Sequence, residues 1–353
     1  MNEKNILHVG NIDKFIFPFV QFNEENLQGC HHEYLFYGYD SRLESIARVE
    51  QCKNKGKNRN VKKFLFYKKA IRKIKKADVV ILHSTNNKVI NWLLYLLPKS
   101  YAKKCKWIVW GGDLHNAQLS PEKQKSVPER IKRKIIPWFS TIATVSEGNY
   151  NLAKKNYGAT GSFVQCFSYP TNIPPKLTNS EQKRKETINI LIGNSADPIN
   201  EHEEVFRKLK SRPEYSEDVK IYCPLSYGNK VYKKEMIELG FELFGKENFY
   251  PLTELLPIEE YNKLLLGIDI AIFNHKRPQA LGNTVSLLSL GKRVYACSYT
   301  TQWDFFTGLG VHLGDVQELN LKENIDSEKN SKIINNFFSK EKLILQLNNL
   351  YSS

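Results

Sequence analysis

The stretch Ile188–Phe206, INILIGNSADPINEHEEVF, constrains the fold more than any other part of this chain. Ile188, Ile190, Leu191 and Ile192 form a short apolar, largely β-branched run that suits a buried parallel strand. Gly193, Asn194 and Ser195 interrupt it. Asp197 can then cap a helix whose first residue is Pro198, so a helix is expected to begin at once. Strand, small-residue turn and helix N-terminus form the geometry that offers free backbone N–H groups to a phosphate. Ordinary βα turns share that geometry, so the stretch by itself leaves both readings open.

The alternation extends on both sides. Ahead of it, strands are expected at Asn5–Val9, Tyr34–Tyr37, Asp78–Leu82, Lys106–Trp110 and Thr141–Val145. Helices are expected to begin in the aromatic segment around Phe15–Phe22 and to occupy Asn91–Leu97, the region near Ser126–Phe139, and the segment from Ser146 to Gly158. After it, strands are expected at Val219–Cys223, Phe249–Leu252, Ile268–Phe273 and Arg293–Ala296. The intervening helices run to about Leu209, from about Lys230 to Leu239, and over Ile258–Leu266 and Gly282–Leu290. Such spacing implies α/β architecture with parallel sheets covered on both faces. Tyr169 to Thr187 is rich in proline, polar residues and lysine and is the best interdomain linker. The expected division is therefore a domain over 1–170, a linker over 171–187, a second domain over 188–330, and a last helix within 331–353 for which a return to the first domain is open. Two such domains would face each other across a cleft, with ligands outside the carboxyl ends of the strands.

A second polar stretch, Phe273 to Thr284 (FNHKRPQALGNT), follows a strand of the same sheet. Lys276 and Arg277 supply cations where that strand ends, and Arg suits bidentate phosphate contact. Gly282, Asn283 and Thr284 open the next helix, with Gln279 just before it. Together with Gly193, Asn194 and Ser195 this points to a diphosphate site, against a capped helix beside a solvated basic loop. Neither stretch is a dinucleotide fingerprint or a Walker A sequence, which leaves nicotinamide, flavin and ATP chemistry without support.

In the first domain, Gly111 and Gly112 allow a tight turn at a strand end, and Asp113 supplies a carboxylate for proton or hydroxyl recognition. Asp13, in the loop after the first strand, competes for that role, and a helix-cap or turn role for Asp113 is the plain alternative. His8, His83, His202 and His275 fall near strand ends or helix starts, where each reads first as a structural hydrogen-bonder. With no paired-carboxylate or HExxH pattern, no metal is expected. The six cysteines have no metal-ligand spacing and are expected to be free thiols in a reducing compartment.

Of the net charge of +15, the segment Lys53 to Lys76 contributes 12 basic residues and no acid. Phe64, Tyr67, Ile71 and Ile74 within it mark one face of a basic amphipathic helix. The Lys62–Lys76 region and the Trp92–Leu97 segment, flanked by lysines, fit an anionic membrane surface. Nucleic acid is not expected, because no nucleic-acid fold or stacking motif accompanies the charge. No apolar run approaches the roughly 20 residues that span a bilayer, and MNEKNILHVG lacks the layout of a signal peptide, so a cytoplasmic location is expected.

Three strings carry a family likeness: Trp107-Ile-Val-Trp-Gly-Gly-Asp-Leu114, Ile190-Leu-Ile-Gly-Asn-Ser-Ala-Asp197 with Asn200-Glu-His202, and Arg277-x-Gln279-x-x-Gly282. With Leu239–Asn248 and Gln302-Trp303, they resemble bacterial dTDP-N-acetylfucosamine:lipid II N-acetylfucosaminyltransferases of enterobacterial common antigen assembly. The likeness is densest from about Trp107 to Phe306. It implies a metal-independent GT-B fold of two Rossmann-like domains and no cofactor. It also implies a dTDP-sugar donor in the second domain and a polyprenyl-diphosphate-linked acceptor. The enzyme would sit peripherally on the cytoplasmic face of the bacterial inner membrane. Arg277 and the N–H groups near Asn194–Ser195 and Gly282–Thr284 would then stabilise the leaving diphosphate. Asp113 is the first choice for activating the acceptor hydroxyl and Asp13 the second. The rival is a non-enzymatic basic protein that binds anionic lipid or nucleic acid.

Overall fold

The structure, a computed structural model, describes residues 4–53, 59–176, 187–213, 215–216 and 218–353, without the side chains of 59 and 116–119. Lys55 and Lys57 of the basic segment, and most of the expected linker over 171–187, lie outside the described residues. The chain divides into one unit of Met1–Thr171 with Lys340–Ser353 and a second of Asn172–Ser339.

The first unit holds β1 (Lys4–Asn11), β2 (Cys30–Tyr37), β3 (Val49–Cys52), β4 (Val79–His83), β5 (Cys105–Ile108), β6 (Thr141–Thr144) and β7 (Ser162–Gln165). They form one parallel sheet in the order β3-β2-β1-β4-β5-β6-β7. The second unit holds β8 (Ile188–Ile192), β9 (Val219–Pro224), β10 (Phe249–Leu252), β11 (Ile270–Phe273), β12 (Arg293–Ala296) and β13 (Gly314–Asp315). Its sheet, in the order β10-β9-β8-β11-β12-β13, is also parallel. In each sheet the winding reverses once, between β1 and β4 and between β8 and β11. That reversal opens a crevice at the carboxyl ends of the paired strands, where α/β folds bind ligands.

Burial explains the sequence pattern. All five residues of β4 and all four of β11 are buried, so both faces of these central strands are covered and they read as continuous apolar runs. The short strands β3 and β13 lie at or near sheet edges and carry little apolar signal, and the sequence reading missed both. Two other expectations are corrected. The last helix is two helices, Ser327–Phe337 and Lys340–Ser352, divided between the units. Phe338 is fully buried against Phe305 and Phe306 of the second unit. Tyr351 is held in the first unit, where its hydroxyl donates to Asn23 Oδ1 at 2.7 Å.

The basic helix Arg59–Lys76 buries Phe66, Tyr67, Ala70 and Ile74, a stripe offset from the expected one. Phe64 faces outward, 67% exposed, with Val61 and Leu65 also exposed among lysines. Among the described residues no helix is long and apolar enough to cross a membrane. All six cysteines are free thiols, five of them buried.

Candidate functional site

The two loops at the reversal of the second sheet are built around Asn200. Gly193 ends β8 at φ +70°, and a Cβ there would sit 2.3 Å from His202 Nε2 and 2.8 Å from Asn200 Oδ1. Only glycine fits, because both the backbone conformation and the approach of Asn200 demand it. Asn200 Oδ1 accepts from Asn194 N–H at 2.9 Å and shares a 2.8 Å hydrogen bond with His275 Nε2 of the loop after β11. Its Nδ2 donates to Asp197 O at 2.9 Å and to Ser195 Oγ at 3.4 Å. Asp197 does not start a helix directly, contrary to expectation. It caps a single 3-10 turn, Pro198–Asn200, after which Glu201 adopts a left-handed conformation and the helix His202–Lys210 begins. The other Asp197 oxygen accepts from Arg277 Nη2 at 3.2 Å, and Lys276 pairs with Glu201 at 3.1 Å.

Ala280, also left-handed, leads into the helix Leu281–Ser289. The first N–H groups of any helix find no carbonyl within it, so those of Leu281, Gly282 and Asn283 project from its N-terminus. Gln302 fixes this end: its Oε1 accepts from Gln279 N–H and its Nε2 donates to Thr284 Oγ1, both at 3.2 Å. Thr284 is therefore a buried anchor, while Gly282 and Asn283 remain half-buried.

Buried side-chain atoms without a partner gather at the same place: Asn194 Oδ1, His202 Nε2, both amide atoms of Asn274, Arg277 Nε and Gln279 Oε1. Folded proteins match such groups with protein, ordered water or a polar ligand, because leaving them desolvated is costly. Burial pushes His202 and His275 down to about 3, so both are neutral at physiological pH. The positive potential here comes from Arg277, Lys276 and the helix N-terminus. The structure thus brings Gly193, Asn194, Ser195, Arg277, Gln279, Gly282, Asn283 and Thr284 to one sheet end. From sequence, Gln302 and Asn200 enter only as parts of the family likeness; their places in the site come from the fold.

At the reversal of the first sheet the two carboxylate candidates separate. Asp113 is fully buried on the helix Gly111–Leu119, so Gly111 and Gly112 open a helix and not a free turn. Its Oδ2 accepts from Thr85 N–H at 2.7 Å, Trp107 Nε1 at 2.9 Å and Thr85 Oγ1 at 3.3 Å, and its Oδ1 accepts from Trp110 N–H at 2.8 Å. Both oxygens are consumed in holding the ends of β4 and β5. These bonds give Asp113 an anchoring role, the plain alternative to activating the acceptor.

Asp13 is only part-buried, and its Oδ1 accepts from Phe15 N–H at 2.8 Å. Burial lifts its carboxyl to about 6, with Phe15 N–H and Lys14 opposing the shift. The Phe15 ring stands 5.6 Å from Trp110 and 5.5 Å from Tyr169. Trp110 Nε1 donates to Tyr169 Oη at 2.7 Å, and a buried chain continues through His83 (2.8 Å), His8 (3.1 Å) and His32 (3.0 Å). Burial lowers all three imidazoles, so this chain is neutral and fixes the aromatic wall beside Asp13.

Among the described residues no group of three or more His, Cys, Asp or Glu is placed to hold a metal ion. Several solved structures share the fold along nearly their whole length. HepE from Anabaena in complex with UDP has a TM-score of 0.70 at 13% identity, over 99% of both chains. Sucrose-phosphate synthase from Thermosynechococcus elongatus has 0.69 at 12%, over 99% of this chain and 98% of that one. The lipopolysaccharide outer core galactosyltransferase WaaB has 0.66 at 11%, over 98% of both. The fold is GT-B, two Rossmann-like α/β domains. The sequence model of one glycosyltransferase family matches residues 47–298, from β2–β3 through β12, and favours an enzyme over a basic binding module. On that match the chain belongs to the 4-alpha-L-fucosyltransferase family, glycosyl transferase group 56.

Proposed function

We propose that this glycosyltransferase moves a 4-acetamido-4,6-dideoxyhexose from a dTDP-sugar to a saccharide carried on a polyprenyl diphosphate, in bacterial surface polysaccharide synthesis. The observation that carries the donor half is the convergence of Arg277, the N-terminus of Leu281–Ser289 and the orphaned amides at the reversal of the second sheet. As the sugar's C–O bond breaks, its electron pair leaves one more negative charge on the nucleoside diphosphate, and preorganised cations and N–H groups stabilise that developing charge. HepE, similar to this chain in fold, is described in complex with UDP. No metal is required in this reading, since Arg277 and the amides take the charge. Asp13 is the candidate to accept the acceptor's proton, because a carboxyl near 6 is basic enough yet ionised at neutral pH.

A membrane-bound acceptor suits the helix Arg59–Lys76. Beside it lies a cavity of about 570 Å³ whose lining includes Lys53, Lys62, Lys68, Arg72 and Leu65, together with the ion pair of Lys69 with Glu50. Exposed Phe64 and Leu65 next to these cations fit an anionic headgroup layer, which supports a peripheral position on the cytoplasmic face of the inner membrane.

The test is transfer from a panel of radiolabelled dTDP- and UDP-sugars to polyprenyl-diphosphate acceptors, with and without EDTA. Transfer from the dTDP-4-acetamido sugar that persists in EDTA is expected, reduced by orders of magnitude in Arg277→Ala. Preference for another donor, dependence on metal, or near-normal turnover by Arg277→Ala would overturn the corresponding part of the reading.

A further inference from the structure

Beside the proposed diphosphate site stands an aromatic wall that the reaction as described leaves unused. Tyr227, in the loop after β9, is 45% exposed, yet both its ends are fixed. Ala196 N–H donates to Tyr227 O at 2.7 Å, and Asn229 N–H donates to Ala196 O at 2.8 Å, so its backbone is tied to the loop after β8. Gly228 makes this approach possible, because a Cβ there would lie 2.5 Å from Ala196 C. Asn194 Nδ2 donates to the Tyr227 hydroxyl at 3.3 Å, and Ser195 also bonds that hydroxyl. Tyr261 of the helix Ile258–Gly267 bonds Asn283 at the N-terminus of Leu281–Ser289. The Tyr227 ring is thus held next to Asn194 and Ser195, with much of its surface open.

We infer that Tyr227 is the stacking platform for the nucleobase of the donor. The inference rests on the donor site proposed above. What adjoins the diphosphate in any sugar nucleotide is a nucleoside, whose base offers a π-face. Stacking on a fixed aromatic ring rewards any base, whereas hydrogen bonds at the site would only hold phosphate. The hydroxyl bonds to Asn194 and Ser195 orient the ring; the ring itself makes the contact.

Calorimetry on the full chain with UDP, dTDP and inorganic pyrophosphate separates these roles. The wild type is expected to bind both nucleotides at least tenfold more tightly than pyrophosphate. Tyr227→Ala should lose that tenfold margin or more while its pyrophosphate affinity holds within twofold, and Tyr227→Phe should keep most of the margin. A thermal melt of each variant confirms folding, and Tyr227→Leu serves if Tyr227→Ala does not fold. Unchanged nucleotide binding in Tyr227→Ala, or equal loss of pyrophosphate and nucleotide binding in both Tyr227→Ala and Tyr227→Phe, would overturn this inference alone. A wild type that binds neither nucleotide nor pyrophosphate would overturn the donor site and the inference with it.

Discussion

Arg277 donates from Nη2 to Asp197 Oδ2 at 3.2 Å, so the cation at the end of β11 is paired with a carboxylate from the loop after β8. The same arginine keeps Nε buried and without a partner. A diphosphate approaching this group would meet a cation half committed to an acid, and would be repelled by that acid. Asp197→Asn keeps a cap for Ile199 N–H while removing the charge. It should tighten pyrophosphate and nucleoside diphosphate binding by about five- to tenfold at low salt, a modest gain because the pair is partly solvated. Weaker binding in a calorimetric titration would show that Asp197 helps to hold the ligand.

Asp13 gives the pH dependence a direction. A base must be ionised, so kcat/KM should fall with unit slope below about pH 6, and Asp13→Asn should lose a hundredfold or more. Stability moves the opposite way. The folded carboxyl titrates above its unfolded value of about 3.9, so between roughly pH 4 and 6 the folded state binds the extra proton. Wild-type stability therefore declines as pH rises through that window. Asp13→Asn should be more stable than wild type by roughly 2 kcal/mol at pH 7.5 and equal to it near pH 4. Urea melts at the two pH values check this, and a variant no more stable at pH 7.5 would remove the burial argument.

Asp113 should behave as an anchor. Asp113→Ala leaves the buried Thr85 N–H and Trp107 Nε1 and the half-buried Trp110 N–H without their acceptor, at a cost of roughly 3 kcal/mol or more. Denaturation is expected to show that loss, with turnover falling only with the folded fraction. Wild-type stability combined with lost turnover would restore a catalytic role.

The outer face of the basic helix can be tested without the reaction. Changing Lys62, Lys68, Lys75 and Lys76 to Gln removes four cations from exposed positions. At about 1 kcal/mol each near an anionic surface, partitioning onto vesicles rich in anionic lipid should drop a hundredfold or more in sedimentation at low salt. Phe64→Ala should weaken binding further without changing the salt dependence. Unchanged sedimentation would assign the charge elsewhere.

Local pattern carried far in this chain. The apolar runs of β4, β8 and β11 are buried on both faces, so hydrophobicity alone marked them and, with the intervening helices, the two parallel sheets. Gly193 and a helix start close to Gly282 were legible because turn geometry and helix N-termini restrict residue type locally. The same logic stops short at Asp113: a carboxylate after a strand looks alike whether it faces substrate or four internal donors. It failed for Phe64, because a helical stripe fixes spacing but not which neighbour covers it. Only the folded chain decided the rest. Asn200 binds His275 across 75 residues, Asp197 meets Arg277 across 80, and Tyr227 comes to Asn194 across 33. Sequence determined the elements, since burial and backbone sterics act over a few residues. Tertiary structure decided which polar groups are consumed and which face a ligand, because parallel strand order places the ends of distant strands side by side.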